Sequence, residues 1–118
     1  MAEILNYMAV FYQFRGQYAK AEPLHKRALG IREKALGPDH PYVATSLINL
    51  AALYNAQGQY AEAEPLLKRA LGIMEKAAPN HPNLASLLDN LAELYTKTGR
   101  DDEAKKMFDR AKRIRARQ

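Results

Sequence analysis

GQYAKAEPLHKRALGIREKA, residues 16–35, returns almost unchanged as GQYAEAEPLLKRALGIMEKA at 58–77, an offset of 42. Each stretch opens on a glycine and then carries apolar residues three and four apart. In the second stretch Ala63, Leu66, Leu67, Ala70, Leu71 and Met74 fall on one face of a helix. The small residues Ala63 and Ala70 let another helix axis come close. Pro65 lacks an amide hydrogen, but it stands within the first two turns, where that loss disturbs a helix least. Working outward, GPDHP (37–41) becomes APNHP (78–82) and NLAALY (49–54) becomes NLAELY (90–95), both at an offset of 41. One loop residue is therefore missing from the second unit. Three copies result: 1–41, 42–82 and a shorter 83–118. A period of this length marks a repeat architecture, in which no unit buries its apolar face alone.

A first helix precedes each of these stretches. In 44–57, Ala44, Leu47, Leu50, Ala51 and Tyr54 recur at spacings of three and four, and Gly58 supplies the stop. Pro41 and Pro82 stand where the first helices of copies two and three begin, with Asp39 and Asn80 as candidate caps. No segment alternates as a strand would. The expectation is an all-α solenoid of three helix-turn-helix repeats in one domain. Its six helices pair 2–15 with 18–36, 41–57 with 60–77, and 82–98 with 101–116.

Composition removes several function classes. At 118 residues there is room for one domain with a substantial core. Cysteine is absent, which excludes disulfides, thiolate metal sites and cysteine nucleophiles. No run approaches the roughly 20 apolar residues of a membrane span. The opening MAEILNYMAV lacks the basic start and cleavage pattern of a secretory leader. A cytoplasmic location without membrane contact is expected. Residues 105–118 hold seven basic side chains against Asp109 alone, a local charge of +6, so the rest of the chain carries −1 of the net +5. Cations at a helix C-terminus complement its dipole, and the aromatic platforms of nucleic-acid binders are missing, so nucleic acid is not an expected partner. His40 and His81 occupy equivalent loops about one repeat apart, and His25 aligns with Leu67 and Phe108 as a packing residue. Neither a metal, a cofactor nor catalysis is expected.

The whole chain resembles the tetratricopeptide repeat (TPR) family. That family places a large residue, a small residue and a tyrosine on its first helix, here Leu5, Ala9 and Tyr12, then Leu47, Ala51 and Tyr54, then Leu88, Ala92 and Tyr95. Its turn glycine matches Gly16, Gly58 and Gly99. Its paired alanines match Ala21 and Ala28, Ala63 and Ala70, Ala104 and Ala111. Glu33 and Glu75 stand where the ordinary unit closes with proline. The longer second helix and EAEPLxKRALxIxEKA look like the kinesin light chain subclass.

The resemblance implies a right-handed superhelix that binds a protein or peptide in a concave groove lined by the first helices. The matching positions are Glu3, Asn6, Tyr7, Val10, Gln13 and Phe14 in copy one. Copy two supplies Thr45, Ile48, Asn49, Ala52, Asn55 and Ala56, and copy three Ser86, Asp89, Asn90, Glu93, Thr96 and Lys97. In TPR proteins that hold extended peptides, an asparagine at the place of Asn49 and Asn90 bonds the ligand backbone; the alternative is that both tie helices together. The family's clamp for carboxylate tails is not matched, since Asn6 and Val10, and later Ser86 and Asn90, occupy its required positions.

The two ends differ. Leu71 and Met74 of copy two should cover the next pair, whereas their counterparts Lys112 and Arg115 are charged, which implies a cap. Ile4, Met8 and Phe11 match Ser46, Leu50 and Leu53, which should pack on a preceding repeat. The expectation is an open apolar stripe, either cut from a longer array or available for self-association. A structural unit stacking end to end is therefore the alternative function.

Overall fold

The computed structural model describes residues 1–79 and 81–117. Its helices are α1 (Ala2–Phe14), α2 (Tyr18–Leu36), α3 (Pro41–Ala56), α4 (Tyr60–Ala77), α5 (Pro82–Lys97) and α6 (Asp101–Ala116). They form three antiparallel pairs stacked as a solenoid, each second helix packing on the first helix of the next pair.

A tyrosine four residues before each turn glycine explains the turns. Gly16, Gly58 and Gly99 take φ of 73°, 75° and 78°. That left-handed conformation lets the next amide reach back to the tyrosine carbonyl: Gln17 to Tyr12 at 2.9 Å, Gln59 to Tyr54 at 2.8 Å, Arg100 to Tyr95 at 2.7 Å. The residue before each glycine closes its helix, so these helices end one residue earlier than the spacing predicts.

The loops between pairs correct one expectation. Asp39 is not the cap of α3; His40 is, its Nδ1 accepting from the Tyr42 amide at 3.1 Å. His81 caps α5 in the same way, from the Asn83 amide at 3.0 Å. The reason is Pro41 and Pro82 at the first helical position: the cap is the residue before the proline, and the first available amide lies two residues on. Asn80, the other candidate cap, lies outside the described residues. Gly37 takes φ 90°, whereas Ala78 at the matching place takes φ −152°, so the two loops close differently.

Packing follows the small residues. Ala21, Ala28, Ala63, Ala70, Ala104 and Ala111 are all buried where paired helices meet. One continuous core joins α3 to α6 through residues such as Leu47, Leu67, Leu87, Leu91 and Ile114. At α1 and α2 the core divides into two smaller clusters, one around Ala9, Ala21, Leu50 and Leu53, the other around Ala2, Leu5 and Ala28. Pro23 and Pro65 sit inside α2 and α4 without ending them. The carbonyls they leave unpaired belong to exposed Ala19 and Ala61, where water reaches them.

Candidate functional site

The faces of α1, α3 and α5 turned away from the core leave a row of open hollows. One, of about 340 Å³, lies between α1 and α3 and is lined by Val10, Gln13, Phe14, Tyr18, His25, Asn49, Ala52 and Ala56. A second, of about 300 Å³, lies between α3 and α5 and is lined by Ala52, Asn55, Ala56, Tyr60, Leu67, Asn90, Glu93, Leu94 and Lys97. The repeat offset carries the first set onto the second, with Tyr18 falling on Tyr60, His25 on Leu67 and Asn49 on Asn90. The same hollow is thus built twice with different walls. The first is uncharged; the second has exposed Glu93 and Lys97 one turn apart on its rim.

A third hollow of about 220 Å³ continues the row towards the N-terminus, lined by Glu3, Asn6, Tyr7, Val10, Arg32 and Asn49. Asn49 and Asn90 are half-buried, and no hydrogen bond engages either side chain among the described residues. Asn55 and Asn6 each bury an Oδ1 that has no donor.

His25 forms part of the first hollow's wall. It is 1% exposed, and its Nε2 donates to Gln13 Oε1 at 3.4 Å. Burial pushes its pKa below the usual histidine range, which favours the neutral ring, and its Nδ1 is buried without a partner.

The remaining residues of the helix-spacing sets lie outside the hollows. Thr45 is exposed, and its hydroxyl donates to the Pro41 carbonyl at 3.4 Å. Ile48 is half-buried and packs against the main core. Asp89 is paired with Arg115 at 2.5 Å. Spacing along one helix missed Tyr18, Tyr60, Leu67 and Arg32, because these reach the hollows from second helices. Tyr18 and Tyr60 had a signal available, recurring at the repeat offset just after the turn glycine.

Behind the second hollow, Arg100 at the start of α6 pairs with Glu64 of α4, which Lys68 also contacts at 2.9 Å. Hydrogen bonds from Arg100 first, and then Lys68, hold the Glu64 carboxyl at a pKa of about 2. Ile4, Met8 and Phe11 occupy the outer face of α1, at 59%, 43% and 56% exposure, while Leu50 and Leu53 at the matching places of α3 are buried. Among the described residues no group of histidines and acids is arranged to hold a metal, and no helix is long and apolar enough to cross a membrane.

Stacked helix pairs with a groove along their first helices define an α-solenoid of the helix-turn-helix repeat class. Residues 1–76 and 49–117 match the family model described as tetratricopeptide repeat, and the chain belongs to that family. Among solved structures it is similar to BtubC (BKLC) from P. vanneervenii, at 30% identity and a TM-score of 0.92, over 98% of this chain and 46% of that one. It is also similar to a Podosopora anserina putative kinesin light chain of nearly identical TPR-like repeats, at 30% identity and a TM-score of 0.86, over 97% of this chain and 55% of that one. The Q17M form of that protein matches equally, with 54% of its length covered. The chain thus spans about half the length of these structures. No curated protein matches it significantly.

Proposed function

We propose that the chain is a non-catalytic interaction module, working as one domain without a cofactor, that receives an extended peptide along the groove of α1, α3 and α5. The observation that carries this reading is the pair of hollows in register, each holding an asparagine that makes no bond within the chain among the described residues. Asparagine is a poor choice inside a helix. An amide that ties no helices together has no scaffold role to offset that cost, and its donor and acceptor suit a peptide backbone. The first hollow, walled by Val10, Phe14 and Tyr18, would take an apolar side chain. On the second, Lys97 would favour an acidic residue, and Glu93 would oppose it.

The test is capture of peptides by the intact chain, followed by titration of the captured peptides against Asn49→Ala/Asn90→Ala. Each lost neutral hydrogen bond costs about 0.5–1.5 kcal/mol, so the double variant should bind roughly five- to a hundredfold more weakly. Its circular-dichroism melt should stay close to that of the unchanged chain. A lower melt with unaltered binding would return both asparagines to the scaffold.

The exposed outer face of α1 favours a second reading, self-association through Ile4, Met8 and Phe11. Met8→Glu/Phe11→Glu should then convert an associated chain to a monomer in sedimentation. An unchanged chain that is monomeric at high concentration removes this reading.

A further inference from the structure

The repeat lets one position be compared three times. In copy three, Arg115 of α6 pairs with Asp89 of α5 at 2.5 Å. The matching residues of copy two are Met74 and Ile48, an apolar couple. Those of copy one are Arg32 and Asn6, so the arginine is retained while its acid has become a neutral amide.

Arg32 is also the more deeply placed of the two arginines, at 9% exposure. Its Nη1 donates to Ser46 Oγ at 2.8 Å and to the Tyr42 carbonyl at 3.3 Å, and its guanidinium lies 5.8 Å from the centre of the Tyr42 ring. All three contacts come from α3, and none carries a negative charge. The Nε is buried without a partner, and no hydrogen bond engages Nη2 among the described residues. No ion pair reaches Arg32 among those residues either; Glu3, the one acid lining its hollow, acts on it only as a more distant charge that does not pair with it. A buried cation with no acid paired to it costs stability, and an anion placed against it regains that cost through charge-assisted hydrogen bonds.

We infer that the hollow of Arg32, Asn6, Tyr7 and Asn49 is a carboxylate subsite at the N-terminal end of the groove, where a ligand's carboxylate supplies to Arg32 the negative charge that Asp89 supplies to Arg115. The inference rests on the groove reading above and adds a fixed charge to it. Asn6 lines the hollow and no hydrogen bond engages its side chain among the described residues, so its Nδ2 can donate to a ligand, and Asn49 and Tyr7 bring further donors to the same walls. This is not the clamp of lysines and asparagines on first helices: its charge comes from the second helix α2. Glu3 stands at the rim as an internal competitor.

The test is a nitrogen-15 NMR titration of the full chain, read at the Arg32 Nε–H and the Asn6 and Asn49 side-chain amides. Three probes are used: N-acetyl-leucine, with a chain-end carboxylate; N-acetylglutamic acid α-amide, with a side-chain carboxylate; and N-acetyl-leucine amide, with none. At least one carboxylate should give saturable shifts at all three groups, and the one that binds tighter names the source. The neutral amide should give none. Asn6→Asp installs the internal acid of copy three and should abolish the shifts. Arg32→Met/Ser46→Leu, which recreates the Met74 and Leu87 couple between copies two and three and so keeps a packing already present in the fold, should abolish them as well. Glu3→Gln should tighten binding about two- to fivefold by removing a nearby like charge. Absence of saturation with both carboxylates, equal shifts with the neutral amide, or shifts at Asn6 that survive Arg32→Met/Ser46→Leu would overturn the subsite. Peptides that still bind the groove after such a failure leave the groove reading standing, whereas carboxylate shifts without any peptide capture would do the reverse.

Discussion

The two joints between helix pairs are built from matching positions and solve the same packing problem with opposite chemistry. Where α4 meets α5, Met74 and Leu87 are buried, and the core runs unbroken into α6. Where α2 meets α3, the same places hold Arg32 and Ser46, joined by a hydrogen bond of 2.8 Å, and the core is divided. The second joint also carries the Glu64–Arg100 pair, whereas Glu22 and Gln59 stand at the matching places of the first. One joint is made for cohesion. The other gives up apolar contact and keeps a cation on the groove wall, the feature on which the proposed carboxylate subsite rests.

The largest effect should come from cutting the apolar joint. Leu87→Ala removes a fully buried side chain and should cost about 2–5 kcal/mol in chemical denaturation. Converting the first joint into the second reverses the sign: Arg32→Met/Ser46→Leu should be neutral or stabilising by about 1–4 kcal/mol, as replacing buried charge with packed apolar groups often is. A large loss of stability there would mean that the polar joint is structural after all. Ser46→Ala alone leaves Nη1 of Arg32 with only the Tyr42 carbonyl and should cost about 1–3 kcal/mol.

Acid should separate the two ends. His25, held below its ordinary pKa by burial, binds a proton more readily when unfolded, so its end loses stability as pH falls from about 6.5. Glu64, held at about 2 against 4.5, stabilises its joint fully above pH 4.5 and loses that contribution as pH falls towards 2. Hydrogen exchange at pH 5 should therefore show α1 and α2 opening before α5 and α6, and His25→Leu should narrow the gap. The smallest effect should be at the ladder common to both joints, Arg69 to Glu33 at 2.9 Å and Arg110 to Glu75 at 2.7 Å. Either arginine changed to glutamine should cost about 0–1 kcal/mol, since exposed pairs contribute little.

How legible all this was in the sequence depends on how local the cause is. Helix order and bounds came within one residue, because periodicity, the turn glycines and the initial prolines act within a few residues of themselves. The cap of α3 falls on His40 and not on Asp39 because Pro41 takes the first helical position, a cause equally local and present in the sequence. Tyr18, Tyr60 and the depth of Arg32 escaped because a stripe drawn along one helix cannot see a side chain arriving from its neighbour. His25 was legible as a packing residue from its alignment with Leu67, but its complete burial depends on the closeness of α3.

The groove itself is tested most directly by mapping where captured peptides touch the isotopically labelled chain. Amide shifts should gather along α1, α3 and α5, with the side-chain amides of Asn49 and Asn90 and the rings of Tyr18 and Tyr60 among the groups that move most. Shifts gathered instead on the outer face of α1 at Ile4, Met8 and Phe11, or on the basic end of α6, with Asn49 and Asn90 unmoved, would contradict it.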